Sequence, residues 1–147
     1  MNGLRLDFAG VSLLAALAVP GAVEASTVRL GLGAHHWQDH GGLFQLNLGV
    51  ETPLVSTASV GLRFGALVAS RSETFGVPLD VVLRATFARR QFYVEGMGGP
   101  WILFKDDPVH AHAAFGFGVQ GAQVSLGLEV GYLEPSAMVG LRLAYRL

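Results

Sequence analysis

The last ten residues decide the fold of this chain: Met138-Val139-Gly140-Leu141-Arg142-Leu143-Ala144-Tyr145-Arg146-Leu147. The odd-numbered positions carry large apolar side chains, whereas the even-numbered positions carry Met, Gly, Arg and Ala. Because successive side chains of a strand point to opposite faces, the segment predicts a strand with one oily face and one face of glycine and arginine. The narrow lumen of a small closed barrel explains this pattern, since inward glycines leave room for long charged side chains while the oily face meets lipid.

Seven further stretches of alternation precede this one, so the sequence predicts eight strands. They cover residues 27–36, 42–52, 57–69, 76–89, 91–104, 109–120, 123–133 and 137–147. Most are close to the roughly 9 to 11 residues that a tilted membrane strand needs. We therefore predict an all-β fold, an eight-stranded antiparallel up-and-down transmembrane β-barrel over residues 26–147.

The face opposite the apolar one carries five arginines and four carboxylates. They are Arg29, Glu51, Arg63, Asp80, Arg84, Glu95, Glu129, Arg142 and Arg146. In a narrow lumen an unpaired charge is costly, so we expect an interior ion-pair network that fills the barrel. Eight strands enclose room only for side chains, which disfavours a conductive pore.

The first 25 residues are predicted to be a cleavable signal peptide. Arg5 provides a weak positive charge, Val11 to Val19 form an apolar core, and cleavage is expected before Ser26. The apolar stretch that starts at Phe8 is shorter than the roughly 20 residues of a transmembrane helix. The remaining chain has nine Lys plus Arg and nine Asp plus Glu, so a nucleic-acid partner is not expected. The absence of cysteine excludes disulfides and thiolate metal sites, and no cofactor is expected.

The pattern resembles the small eight-stranded outer-membrane β-barrels of Gram-negative bacteria, with an OmpA-like or OmpX-like architecture. The ending Leu141-x-Leu143-x-Tyr145-x-Leu147 resembles the terminal strand signal that the barrel assembly machinery reads, although that family usually ends on Phe or Trp. The resemblance implies location in the bacterial outer membrane, contact with outer-membrane lipid and lipopolysaccharide, and a structural or binding role without enzymatic activity. It also implies that the connections near residues 37–41, 70–75, 105–108 and 133–136 are extracellular.

A possible metal site lies at that outer rim. His110 and His112 are two residues apart, which places both imidazoles on one face of a strand, close enough to share a divalent ion. Four further rim residues are candidate ligands for zinc, copper or nickel: His36, His40, Asp39 and Asp107. Ordinary polar rim residues are the alternative interpretation.

Two other functions remain open from the sequence. A lipid A deacylase or acyltransferase would use a rim serine, Ser70 or Ser72, with a rim histidine such as His110 as base. A secreted soluble β-barrel that binds a small apolar ligand would instead bury the apolar faces and turn the arginine faces to water. An aromatic girdle at the membrane surface is predicted from five rings near the outer strand ends: Trp37, Trp101, Phe75, Phe104 and Tyr132. Packing of some of these rings in the core is the alternative.

Overall fold

The computed structural model describes residues 26–147, and the predicted signal peptide lies outside the described residues. Eight strands follow one another in this part of the chain. They are β1 (Thr27–Trp37), β2 (Gly41–Val55), β3 (Ala58–Ala69), β4 (Thr74–Phe87), β5 (Phe92–Leu103), β6 (Val109–Gln120), β7 (Val124–Leu133) and β8 (Ser136–Arg146). None of residues 26–147 belongs to a helix long and apolar enough to cross a membrane.

The strands form a closed antiparallel barrel in which each strand pairs with its sequence neighbour. β8 pairs with β1 from Arg29 opposite Arg146 to Trp37 opposite Met138, and this pairing removes both sheet edges. All backbone hydrogen-bonding groups of the sheet can therefore find partners within the barrel, as a β-structure in lipid requires. The predicted fold class is confirmed.

The strand boundaries differ from the prediction mainly in β2. Pro53 was expected in a turn, but it lies within β2 opposite Ser59, and the ladder changes register between Pro53 and Val55. Proline lacks an N–H group, so it is tolerated at such an irregularity near a strand end. The turn itself contains only Ser56 and Thr57.

The two ends of the barrel are named here by residues that lie at them. The end with Thr27 and Arg146, called here the Thr27 end, also has the turns at residues 56–57, 88–91 and 121–123. The opposite end, called the His40 end, has the connections at residues 38–40, 70–73, 104–108 and 134–135. All are short, so the strands and their inward side chains make up most of the described chain.

Most outward positions are apolar along every strand. Leu32, Phe44, Leu83, Phe117 and Leu141 are each about half exposed on the outer surface of the isolated barrel. Inward positions are mostly buried, and they carry nearly all of the charged side chains that lie within the strands. The barrel is therefore inverted relative to a water-soluble protein, because apolar side chains cover its outer surface and charged side chains lie inside.

Candidate functional site

The interior network is centred on Arg63, whose guanidinium lies between two carboxylates. Its Nη2 is 2.9 Å from Glu95 Oε1, and its Nη1 is 3.2 Å from Glu129 Oε2. Nη1 also lies 3.0 Å from the sulfur of Met97. All four side chains are buried, so water does not screen these charges and the pairing is energetically important. Arg63 thus connects β3 across the lumen to β5 and β7.

Glu51 extends the network toward the Thr27 end. A single carboxylate oxygen, Glu51 Oε1, lies 3.2 Å from Arg29 Nε and 3.6 Å from Arg84 Nη1. The other end of Arg84 reaches Glu95, with Nε 3.4 Å from Oε2, and its guanidinium stacks 3.9 Å above the ring centre of Tyr93. Arg84 therefore links Glu51 to Glu95, and the aromatic face provides additional stabilisation for its charge.

Arg142 extends the network toward the His40 end. Its Nη2 donates a 2.7 Å hydrogen bond to Asn47 Oδ1, and its Nη1 is 3.7 Å from Glu129 Oε1. The same Glu129 oxygen lies 3.2 Å from His35 Nε2. Glu129 is therefore shared among Arg63, Arg142 and His35, and the contacts run without a break from Arg29 to His35.

Seven of the nine predicted interior charges belong to this connected set: Arg29, Glu51, Arg63, Arg84, Glu95, Glu129 and Arg142. Arg146 differs, because its exposed side chain lies at the mouth of the Thr27 end, and no ion pair within residues 26–147 includes it. Asp80 is buried but pairs with a histidine rather than an arginine. Its position nearer the His40 end places it beside aromatic side chains.

Asp80 forms a separate buried group with His112 and Trp101. Asp80 Oδ1 is 2.6 Å from His112 Nδ1 and accepts a 3.1 Å hydrogen bond from Trp101 Nε1. The imidazole also packs on the indole, with ring centroids 4.2 Å apart. The sequence analysis did not predict these contacts, although the alternation of β5 and β6 places the rings of Trp101 and His112 on the inward face.

The candidate metal ligands are not brought together. His36 points to the outer surface and His112 points inward to Asp80, whereas the ring nitrogens of His110 lie 2.8 Å from the carbonyl oxygens of Glu134 and Asp107. His40 stacks on Trp37, with ring centroids 3.9 Å apart, and Asp39 is exposed in the turn. Within the described part of the chain, no group of three or more His, Cys, Asp or Glu side chains is arranged to hold a metal ion.

The rim serines also lack the geometry expected of an acyl-transfer nucleophile. Ser70 Oγ accepts a 3.1 Å hydrogen bond from the backbone N–H of Gly42. Between residues 26 and 147, no hydrogen bond joins Ser70 or Ser72 to a histidine. Ser136 Oγ lies 3.5 Å from His40 Nδ1, but this hydroxyl donates to the carbonyl oxygen of Gln38 at 2.8 Å.

Both tryptophans were predicted in the outer girdle, and this prediction is wrong. Trp37 and Trp101 are 1% and 0% exposed and lie inside the barrel near the His40 end. Their neighbours form the apolar interior cluster: Trp37, Leu43, Leu67, Trp101, Leu103, Leu133 and Met138. Trp37 Nε1 donates a 2.9 Å hydrogen bond to the carbonyl oxygen of Leu133, which satisfies its one polar group. Phe75, Phe104 and Tyr132 do lie on the outer surface.

The parity of each strand would have located the side chains that sequence reasoning missed. Trp37 and His35 have the same parity in β1 as Arg29, and Trp101 has the same parity in β5 as Glu95. Each pair therefore shares the inward face. The error arose from judging the tryptophans by their depth along the strand rather than by the face on which they lie.

Comparisons with solved structures support the architecture. A structure described as de novo design of transmembrane β-barrels superposes with a TM-score of 0.63 at 12% identity, covering 82% of this chain and 95% of that chain. The solution NMR structure of the de novo designed TMB2.3 gives a TM-score of 0.57 at 15% identity, covering 83% and 94%. The N-terminal β-barrel domain of Pseudomonas aeruginosa OprF gives 0.53 at 13% identity, covering 84% and 98%. No protein-family model and no curated protein matches the sequence. This chain thus has the fold of transmembrane β-barrels.

Proposed function

We propose that this chain is an integral protein of the bacterial outer membrane whose barrel is closed by its own side chains and whose role is structural or binding rather than enzymatic. The observation that carries this proposal is the outer surface. Phe44, Leu83, Phe117 and Leu141 expose between 45% and 57% of their area in the isolated barrel. A continuous apolar surface of this kind is unfavourable in water, and lipid removes the cost.

The interior supports the second part of the proposal. Arg63, Glu95 and Glu129 occupy the middle of the lumen, and the apolar interior cluster occupies the His40 end. Side chains thus close the middle and the His40 end of the lumen, as expected for a barrel of eight strands. We expect vesicles containing the protein to show no stable ion conductance.

The proposed location implies particular partners. Outer-membrane lipid would contact the outward side chains, and lipopolysaccharide phosphates would lie near Arg71 and Lys105 at the His40 end. Insertion would depend on the barrel assembly machinery, which would read the segment that ends in Tyr145 and Leu147. Export would depend on removal of residues 1–25, so the N-terminal residue of the membrane-bound protein is expected to be Ser26.

A pair of arginine substitutions tests the membrane assignment. Leu141 lies in the middle of β8 and is 56% exposed, whereas Val109 is 58% exposed at the first position of β6. Arginine at the bilayer midplane costs about 2–4 kcal/mol, but only about 0–1 kcal/mol near the interface. Leu141→Arg should therefore destabilise the folded barrel in lipid vesicles much more than the matched control Val109→Arg, as measured by urea titration.

The same preparation separates the membrane barrel from a secreted soluble barrel. The full chain, expressed in a Gram-negative host, should fractionate with the outer membrane and show heat-modifiable migration in detergent gels. Recovery as a monodisperse monomer without detergent, or equal effects of Leu141→Arg and Val109→Arg, would contradict the proposal. Both outcomes would favour the soluble alternative.

A further inference from the structure

The Thr27 end of the barrel contains a cup that the interior network does not fill. It has a volume of about 270 Å³ and opens between the turns at this end. Its charged lining consists of Arg29, Arg84, Arg90, Arg146 and Glu51. Since one water molecule takes about 30 Å³ of liquid volume, the cup has room for a small polyatomic ion with several waters.

Positive charge exceeds negative charge in the lining of the cup. Four guanidinium groups face one lining carboxylate, Glu51, and both Arg29 and Arg84 approach the same oxygen of that carboxylate. Arg84 also pairs with Glu95 deeper in the lumen, at 3.4 Å, so the excess comes mainly from the other three arginines. The second oxygen of Glu51 accepts a 3.4 Å hydrogen bond from Ser59. Arg90 and Arg146 take part in no ion pair within residues 26–147. The cup therefore retains a strong positive field.

Two of these arginines face each other directly. Arg29 and Arg146 are opposite partners in the β1–β8 ladder, so their Cβ atoms lie on the same face of adjacent strands. Like charges in this position repel each other. An anion between them would convert this repulsion into two attractive contacts.

Three buried guanidinium nitrogens of the arginines that line the cup also lack hydrogen bonds. Arg84 is 5% exposed, and its Nε and Nη1 have no hydrogen-bond partner in the described structure; Arg29 Nε is in the same state. They lie within ion-pair distance of carboxylates but without hydrogen-bonding geometry. Buried donors of this kind are normally satisfied.

The turn between β4 and β5 holds Arg90 at the mouth of the cup. Arg90 Nη2 donates a 3.1 Å hydrogen bond to the carbonyl oxygen of Ser56, and Gln120 Nε2 donates to the carbonyl oxygen of Arg90 at 2.9 Å. Ala88, Arg89 and Arg90 all have positive φ, at 49°, 57° and 65°. Such conformations are unfavourable for residues other than glycine and are found preferentially at ligand-binding sites.

From these observations we propose that the cup binds a phosphate group, with Arg29, Arg84, Arg90 and Arg146 as its ligands. Guanidinium forks match phosphate oxygens in pairs, and the excess positive charge suits a dianion better than a single carboxylate. The group belongs either to a soluble phosphate compound or to a phospholipid headgroup. Binding of a soluble phosphate compound does not depend on insertion of the barrel into a membrane, whereas binding of a headgroup rests on the proposed membrane location.

The test uses the full-length protein folded in octyl glucoside, whose headgroup carries neither charge nor phosphate, at low ionic strength. Inorganic phosphate is the first probe, and its binding is measured by ³¹P NMR and calorimetry. Bicelles that contain phosphatidylglycerol are the second probe. Arg90→Gln with Arg146→Gln should weaken binding by about tenfold or more, because the two substitutions remove two charged hydrogen-bond donors to the phosphate. Arg146→Gln alone is the variant least expected to disturb folding, since this exposed side chain has no ion pair to lose in the described chain.

Arg89→Gln is the matched control, because it removes the same charge from the same turn without lining the cup. Saturable binding of inorganic phosphate that Arg89→Gln leaves intact supports a site for a soluble compound. Binding seen only with phosphatidylglycerol, with the same pattern among the variants, supports a headgroup site. The proposal is overturned if neither probe binds below about 10 mM, or if Arg89→Gln weakens binding as much as Arg146→Gln.

Discussion

Arg63 offers the sharpest test of the interior network, because it is the only described side chain that contacts both Glu95 and Glu129 through ion pairs. Replacing it by methionine preserves much of the volume and removes the charge. Both carboxylates, at 2.9 and 3.2 Å, then lose their common partner in a buried setting. Breaking a buried ion pair from one side costs about 3–5 kcal/mol.

The contacts that remain in Arg63→Met narrow the expected loss in the free energy of unfolding. Arg84 still lies 3.4 Å from Glu95, and Arg142 and His35 still lie 3.7 and 3.2 Å from Glu129. These partners compensate part of the lost interaction, so we expect a loss near the lower limit, about 3 kcal/mol in the free energy of unfolding. That loss corresponds to roughly a hundredfold change in the unfolding equilibrium constant.

The assay is a reversible urea titration in lipid vesicles. Trp37 and Trp101 are both buried in the lumen and report unfolding by fluorescence, and heat-modifiable migration reports it independently. The double variant Arg63→Met with Glu95→Gln removes opposite charges together, so its loss should be smaller than the sum of the two single losses. A loss below about 1 kcal/mol for Arg63→Met, or full additivity in the cycle, would refute the assignment of Arg63 as the centre of the network.

Two further predictions concern backbone geometry. Gly65 faces the lumen, where an added Cβ would lie 2.6 Å from the Cα of Asn47, so Gly65→Ala should cost about 1–3 kcal/mol or more in the same titration. Gly96 faces outward with nothing within 4 Å of an added Cβ, so Gly96→Ala should be neutral or stabilising, and an equal loss in both variants would contradict the packing. Arg89 has a φ of 57°, so Arg89→Gly should stabilise the barrel by about 1 kcal/mol, whereas unchanged stability would show that the turn carries no conformational cost.

The sequence predicted the number, order and facing of the strands because barrel strands have a simple period of two. In the final strand, Leu141 and Leu143 point outward and Arg142 points inward, as the alternation requires. Strand ends were less predictable. β2 continues past Pro53 because a register change accommodates the proline, and such a change leaves no signal in hydropathy.

Pairing inside the lumen was predictable in kind but not in detail. Alternation placed Arg63, Glu95 and Glu129 on the inner face, yet their meeting depends on the stagger of strands that are far apart in sequence. The same limitation hid the contact between Asp80 and His112, which lie 32 residues apart. The alternation pattern alone does not determine which inward residues lie at the same height along the barrel axis.

The apolar interior cluster divides the bore into two chemically different zones. Indole and leucine side chains lie across the His40 end, and the arginines and glutamates begin below them. A hydrated ion that entered from the His40 end would have to shed most of its water among these apolar side chains, where the Asp80–His112 pair is the charged group beside Trp101, before it reached the arginines and glutamates in the middle of the lumen. Substitutions among the charged residues alone would leave the apolar interior cluster in place. A variant that conducts ions should therefore require changes in both zones.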